Sequence, residues 1–164
     1  MKCLIVFSTS HGTTEKASKL LSHYFEGNVE LVDLNKIIFQ PKIDRYDTII
    51  IGGSIHLGSI QKKVRQFIKT NLDLLLTKRV GLFLCCMNEG ELAKEQFNKV
   101  YPIQLREHSV ANGLFGGELL FSQMNFLERQ IITKVKGISS DVANLNEQSI
   151  RAFAKQMNEK LASS

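Results

Sequence analysis

The sequence predicts an α/β protein, a doubly wound parallel sheet with helices on both faces in three layers, and three observations carry that prediction. Cys3-Leu4-Ile5-Val6-Phe7, Thr48-Ile49-Ile50-Ile51 and Val80-Gly81-Leu82-Phe83-Leu84-Cys85-Cys86 are near-continuous apolar runs, the pattern of strands covered on both faces. Each is followed by a loop rich in Gly, Ser, Thr or Asn, and each loop by a stretch with apolar residues at three- and four-residue steps. Strand and helix therefore alternate, which calls for right-handed crossovers.

The first strand runs into Ser8-Thr9-Ser10-His11-Gly12-Thr13-Thr14, which holds five hydroxyls in seven residues. Thr13 to Phe25 reads as a helix with Ala17, Leu20, Leu21, Tyr24 and Phe25 inward, stopped by Gly27-Asn28. Val29 to Asp33 is a short second strand, and Asn35 to Tyr46, interrupted by Pro41, is a connection. The third strand ends in a glycine-rich loop from Gly52 to Ile60. It leads into a helix from Gln61 to Asn71, with Val64, Phe67 and Ile68 inward and Lys62, Lys63, Arg65 and Lys69 on the solvated side. The fourth strand passes through Met87-Asn88-Glu89-Gly90 into a helix that Pro102 ends. Ser109 to Glu118 reads as the fifth strand, and Asn146 to Leu161 as the last helix.

A single domain over 1–164 is expected, with an added segment at about 120–146 between the fifth strand and the last helix. Roughly 25 residues are more than a compact domain leaves structureless. Leu127, Ile131, Ile132 and Val135 fall there at helical steps among Arg129, Lys134 and Lys136. A basic amphipathic helix of that kind packs on its own sheet or rests on an anionic membrane.

Composition narrows the function classes. Of the 164 residues 43% are apolar and 23% charged, the profile of a soluble globular chain, and no apolar run approaches a bilayer span. The beginning of the chain lacks the basic, apolar and small-residue order of a secretion signal, so a cytoplasmic location, with peripheral membrane contact through about 126–136, is the expectation. Cys3, Cys85 and Cys86 sit in apolar runs and read as buried thiols, and no metal-ligand spacing is present. A net charge of +5 favours an acidic partner or surface, yet no zinc-finger spacing or basic–aromatic motif supports a nucleic acid.

Ser8 to Thr14 contains neither Lys nor Arg and matches neither the P-loop nor the dinucleotide fingerprint. A strand that enters a helix through such a loop offers unpaired backbone N–H groups and hydroxyls to an anion. The plainer alternative is that Ser and Thr only cap the helix. In the five-stranded order 2-1-3-4-5, strands one and three flank the point where strand order reverses, where ligands bind. The Ser/Thr loop, the Gly52–Gly58 loop and the Met87–Gly90 loop then meet at one sheet edge, which sets the capping alternative aside.

These segments, Ser8-Thr9-Ser10-His11-Gly12-Thr13-Thr14-Glu15, Tyr46 to Ile55 and the last helix, resemble the flavodoxin superfamily over nearly the whole chain. Phe7-Ser8-Thr9 with Gly12 and Thr14, Ile51 to Ile55 with Gly58, and the long span after strand five are most similar to the menaquinone-dependent protoporphyrinogen oxidase family. The resemblance implies a flavodoxin-like fold and FMN as cofactor. It places the phosphate on Ser8, Thr9, Ser10, His11, Gly12, Thr13 and Thr14, and the isoalloxazine ring between Ser54, Ile55, His56, Leu57 and Gly58 on one side and Cys86, Met87, Asn88 and Glu89 on the other. The activity it implies is FMN-dependent oxidation of a small-molecule or porphyrinogen reductant, specifically protoporphyrinogen IX, with electrons passed to a quinone or a redox-protein acceptor. No conventional catalytic acid or base is assigned. A small electron-carrier flavodoxin and a flavin-free binding module of the same fold are the alternatives; carriers of this kind are acidic, and this chain is basic.

Overall fold

The computed structural model describes residues 2–56, 58–119 and 142–162, together with the isolated positions Leu127, Gln130, Thr133 and Lys134. In chain order the elements are β1 (Lys2–Phe7), α1 (Thr13–Tyr24), β2 (Asn28–Asp33), a 3-10 turn at Ile43–Arg45, β3 (Thr48–His56), β4 (Ser59–Ile60), α2 (Lys62–Leu75), β5 (Arg79–Cys85), α3 (Gly90–Val100), α4 (Ile103–His108), β6 (Ala111–Leu114), β7 (Gly116–Leu119), β8 (Val142–Leu145) and α5 (Glu147–Ala162).

The parallel strands lie in the order β2-β1-β3-β5-β6, the expected 2-1-3-4-5 once β4, a short antiparallel arm on β3, is set aside. β1 lies between β2 and β3, with Val6 opposite Val32 on one side and Ile51 on the other. Alternation along each strand splits the core in two. Leu4, Val6, Ile49, Ile51, Leu82 and Leu84 cluster with Val64 and Phe67 of α2 and Phe97 of α3. Cys3, Ile5, Phe7, Ile50, Phe83 and Cys85 cluster with Ala17 and Leu21 of α1 and with Ile150, Phe153 and Met157 of α5. Two buried faces need apolar residues at every position, and this is why the strands read as unbroken runs.

The cysteines are packing residues. Cys85 and Cys86 belong to opposite clusters, and all three thiols are free and buried. Burial pushes the Cys3 thiol up to about 12, against a smaller opposing influence of the Arg79 guanidinium.

Three expectations are revised. Gly52 and Gly53 belong to β3 and not to a loop, because the strand continues through His56. Side chains take their space: a Cβ on Gly52 would stand 1.9 Å from Phe83 Cζ, and one on Gly53 2.5 Å from Ile60 Cδ1. The expected fifth strand is two strands in different sheets, β6 beside β5 and β7 paired antiparallel with β8. Phe115 between them is buried, stacks on Phe83 at 4.6 Å and meets Phe153 edge-on at 5.3 Å. That anchor turns the chain, and the residue after it, Gly116, takes a φ of 72°. A short helix, α4, also follows Pro102 where only a helix end was expected.

The expected basic helix at about 126–136 lies outside the described residues, apart from Leu127, Gln130, Thr133 and Lys134, which have helical backbone and are exposed.

Candidate functional site

The carboxyl ends of β1, β3 and β5 carry three loops, and the structure builds the first around Gly12. Thr9 Oγ1 accepts a hydrogen bond from the Gly12 N–H at 2.8 Å, and Lys16 N–H donates to the Gly12 carbonyl at 3.0 Å to open α1. Gly12 sits at the N-cap with a φ of 92° and makes no side-chain cap bond. The N-cap position of α1 is thus held by a glycine and not by a Ser or Thr hydroxyl. Ser8, Thr13 and Thr14 are buried, and Ser8 Oγ and Thr14 Oγ1 have no hydrogen-bond partner. A buried hydroxyl left unpaired costs about 1–3 kcal/mol, so two in one loop, Ser8 at the end of β1 and Thr14 in the first turn of α1, call for an explanation outside the polypeptide.

The local electrostatics suit an anion. Glu15, the one acid in the first turn of α1, has its carboxyl held below its ordinary value by the hydrogen bond and charge of Lys19 and by the charge of Lys36. Those ion pairs measure 3.3 and 3.6 Å. With Glu15 compensated, the amino-terminal end of the helix keeps its preference for negative charge.

A glutamine joins the first loop to the second. Gln61 Nε2 donates to Ser10 Oγ at 3.2 Å and to Ser54 Oγ at 2.6 Å, while its Oε1 accepts from the Ser54 N–H at 3.1 Å. The second loop is a tight hairpin: His56 pairs with Ser59 and Ile55 with Ile60 across the turn that holds Gly58, whose φ is 82°. Ile55 is half-buried against the core, and Leu57 lies outside the described residues. His11 of the first loop and His56 of the second approach with ring centroids 5.6 Å apart.

The third loop is backed by the β7–β8 ribbon. Cys86 N–H donates to the Gly116 carbonyl at 2.9 Å, and Cys86 Sγ lies 3.6 Å from the Asn88 carbonyl. A Cβ on Gly117 would stand 3.1 Å from the Cys86 carbonyl carbon and oxygen, so a side chain there would push β7 a few tenths of an ångström away from the third loop. Met87 and Asn88 are half-buried, and Glu89 is exposed at the start of α3.

The sequence did not single out Gln61 or Asn35, whose Nδ2 donates to the Thr9 carbonyl at 2.8 Å. Gln61 carried one signal: it occupies the N-cap of α2, where Ser, Thr, Asp or Asn is usual, and makes no cap bond there. Among the described residues no group of His, Cys, Asp and Glu is placed to hold a metal ion.

The chain matches the flavodoxin domain family over residues 4–146 and belongs to it. FMN is the cofactor of this family, and the protein is a flavodoxin-type redox protein. Solved structures of the same fold include oxidised flavodoxin 1 from Bacillus cereus, with a TM-score of 0.59, 16% identity and 97% and 98% of the two chains covered. Another is the flavodoxin, WrbA-like protein from Agrobacterium tumefaciens, with a TM-score of 0.61, 13% identity and 99% of each chain covered. A particular relative is the protoporphyrinogen IX dehydrogenase [quinone] of Escherichia coli K12, 36% identical over 78 residues, a stretch that spans 46% of this chain and 42% of that protein. No described helix is long and apolar enough to cross a membrane.

Proposed function

We propose that the three loops hold FMN and that the protein is an FMN-dependent oxidoreductase, oxidising a porphyrinogen such as protoporphyrinogen IX and reducing a quinone. The observation that carries the cofactor assignment is the pair of buried, unpartnered hydroxyls of Ser8 and Thr14. A phosphate at the start of α1 would satisfy both, together with first-turn N–H groups that lack helical partners.

In this reading Ser8, Thr9, Ser10, His11, Gly12, Thr13 and Thr14 take the phosphate. Ser54, Ile55, His56, Leu57 and Gly58 border one face of the ring, and Cys86, Met87, Asn88 and Glu89 the other. When bound, FMN supplies electron and hydride transfer, which the side chains of this site do not. The protein contributes placement. Gln61 fixes Ser10 against Ser54, the hairpin fixes His56, and β7 fixes the backbone of Cys86. Glu89 puts a carboxylate at the edge of the site, which disfavours negative charge on a nearby ligand.

The substrate reading rests on the E. coli relative and on the basic charge of the chain, which suits a polycarboxylate reductant. The experiment is anaerobic turnover of purified, FMN-loaded protein with protoporphyrinogen IX and a menaquinone analogue. Many porphyrins formed per chain, with three quinols for each porphyrin as the six-electron oxidation requires, support the enzyme. Electron exchange with a flavodoxin reductase and no porphyrinogen oxidation would make it a carrier. A colourless protein that takes up no FMN on titration would make it a flavin-free module.

A further inference from the structure

The segment between β2 and the 3-10 turn presents apolar side chains outward. Ile38 is 93% exposed and Phe39 86%, the highest values for any large hydrophobic residue among the described ones. The segment is not simply loose. Leu34 is buried, Ile37 packs against the core and Ile43 is buried, so the apolar residues on either side of the tip point inward. Leu34 N–H donates to the Phe7 carbonyl at 2.8 Å, Lys63 Nζ to the Leu34 carbonyl at 3.2 Å, and Asn71 Nδ2 to Gln40 Oε1 at 3.2 Å. The last two bonds hold the segment against α2.

The segment has no excess of acid at its tip, and the chain as a whole is basic. Residues 34–42 include Lys42 and Lys36, the latter paired with Glu15 at 3.6 Å, Asp33 and Asp44 lie just beyond them, and the net charge of the chain is +5. An exposed apolar tip on a chain of net charge +5 matches an anionic bilayer: the side chains enter the headgroup boundary while the excess of cations meets the lipid charge. A protein partner fits less well. Stable protein interfaces bury about 800 Å² on each side, and one aromatic side chain buries about 150–250 Å². A bilayer supplies its own complementary surface.

We infer that the Ile38–Phe39 tip docks the protein on anionic membrane surface. The tip leaves the sheet at the same edge as the candidate phosphate loop, since Asn35 at its base bonds the Thr9 carbonyl. Docking here would hold the flavin edge of the molecule near lipid-dissolved electron acceptors. Membrane docking is independent of the reaction, because binding is measured without turnover.

Flotation of the FMN-loaded protein with vesicles of phosphatidylcholine alone, or mixed with phosphatidylglycerol, tests it. Wild type is expected to float with the anionic vesicles and to release at high salt. Ile38→Ser with Phe39→Ser should float at least about tenfold less, with an unchanged flavin spectrum and melting curve. The chain has no Trp, so Phe39→Trp creates a single reporter. Its emission should shift to the blue with anionic vesicles and be quenched by brominated acyl chains. Absence of wild-type flotation at low salt, equal flotation of the double variant, or an unshifted emission from the Phe39→Trp variant would each overturn the inference. A wild-type dimer that the double variant abolishes, without vesicle binding, would overturn it in favour of a second copy covering the tip.

Discussion

Ser8 faces opposite demands with and without a ligand. Its hydroxyl is fully buried at the end of β1 and has no partner in the polypeptide. Ser8→Ala should therefore stabilise the FMN-free protein by about 1 kcal/mol, read from the denaturant midpoint. The same change should weaken FMN binding roughly ten- to a hundredfold, the worth of a hydrogen bond to a charged group. A lower midpoint with unchanged FMN affinity would make Ser8 a structural residue. Gly52 gives the second prediction at this scale. Its missing side chain houses the Phe83 ring, and Phe83 cannot retreat because Phe115 stacks on it at 4.6 Å. Gly52→Ala should cost about 1–3 kcal/mol, lowering the melting temperature by several degrees, and Phe83→Leu in the same chain should recover part of the loss. The hydroxyl loop was legible in the sequence because its residues are contiguous. Gln61 and the purpose of Gly52 were not: Ser10 is 51 positions from Gln61, and Phe83 is paired with Gly52 only by strand register.

Among the elements, α1 and α5 share a surface cluster that makes the stability pH-dependent. The Tyr24 hydroxyl hydrogen-bonds the Glu147 carboxylate, Arg151 Nε donates to the Tyr24 hydroxyl at 3.0 Å, and Arg151 Nη2 to Glu147 Oε1 at 3.1 Å. The guanidinium also lies 5.0 Å from the centre of the Tyr24 ring. Glu147 is held below its ordinary carboxylate value, first by the Tyr24 phenol and then by Arg151. A group depressed in the folded state adds stability above its unfolded value, and that contribution disappears as pH falls through the folded value. Glu147→Gln should therefore melt slightly lower than wild type at about pH 7, and the gap should close as the pH is taken progressively below the ordinary carboxylate range. Salt should shrink the gap at neutral pH, since the cluster is exposed. A gap that persisted in acid would place the role of Glu147 in packing. The principal strands and helices were legible because burial on both faces imposes unbroken apolar runs and amphipathic periods. The division of the fifth strand was not, because it depends on Phe115 finding Phe83 and Phe153, contacts that no local pattern encodes.

For the whole molecule, the candidate site joins parts of the chain that are otherwise distant. The first loop belongs to β1 and α1, the second to β3 and β4, and the third to β5 and α3, with the β7–β8 ribbon behind it. A ligand that engages all three loops exists only on the folded chain, so its binding free energy adds to global stability. At FMN about a hundredfold above its Kd the gain is about 2.7 kcal/mol, which for a chain of this size raises the melting temperature by about 5–10 °C. The phosphate site and the ring clamp are separable in this measurement. Riboflavin carries the same ring without the phosphate, so at equal concentration it should give a much smaller shift than FMN, and inorganic phosphate alone a slight one. Ser8→Ala should then reduce the FMN shift and leave the riboflavin shift as it was. Equal shifts from FMN and riboflavin would show that the loop from Ser8 to Thr14 holds no phosphate, and the orphaned hydroxyls of Ser8 and Thr14 would need another partner.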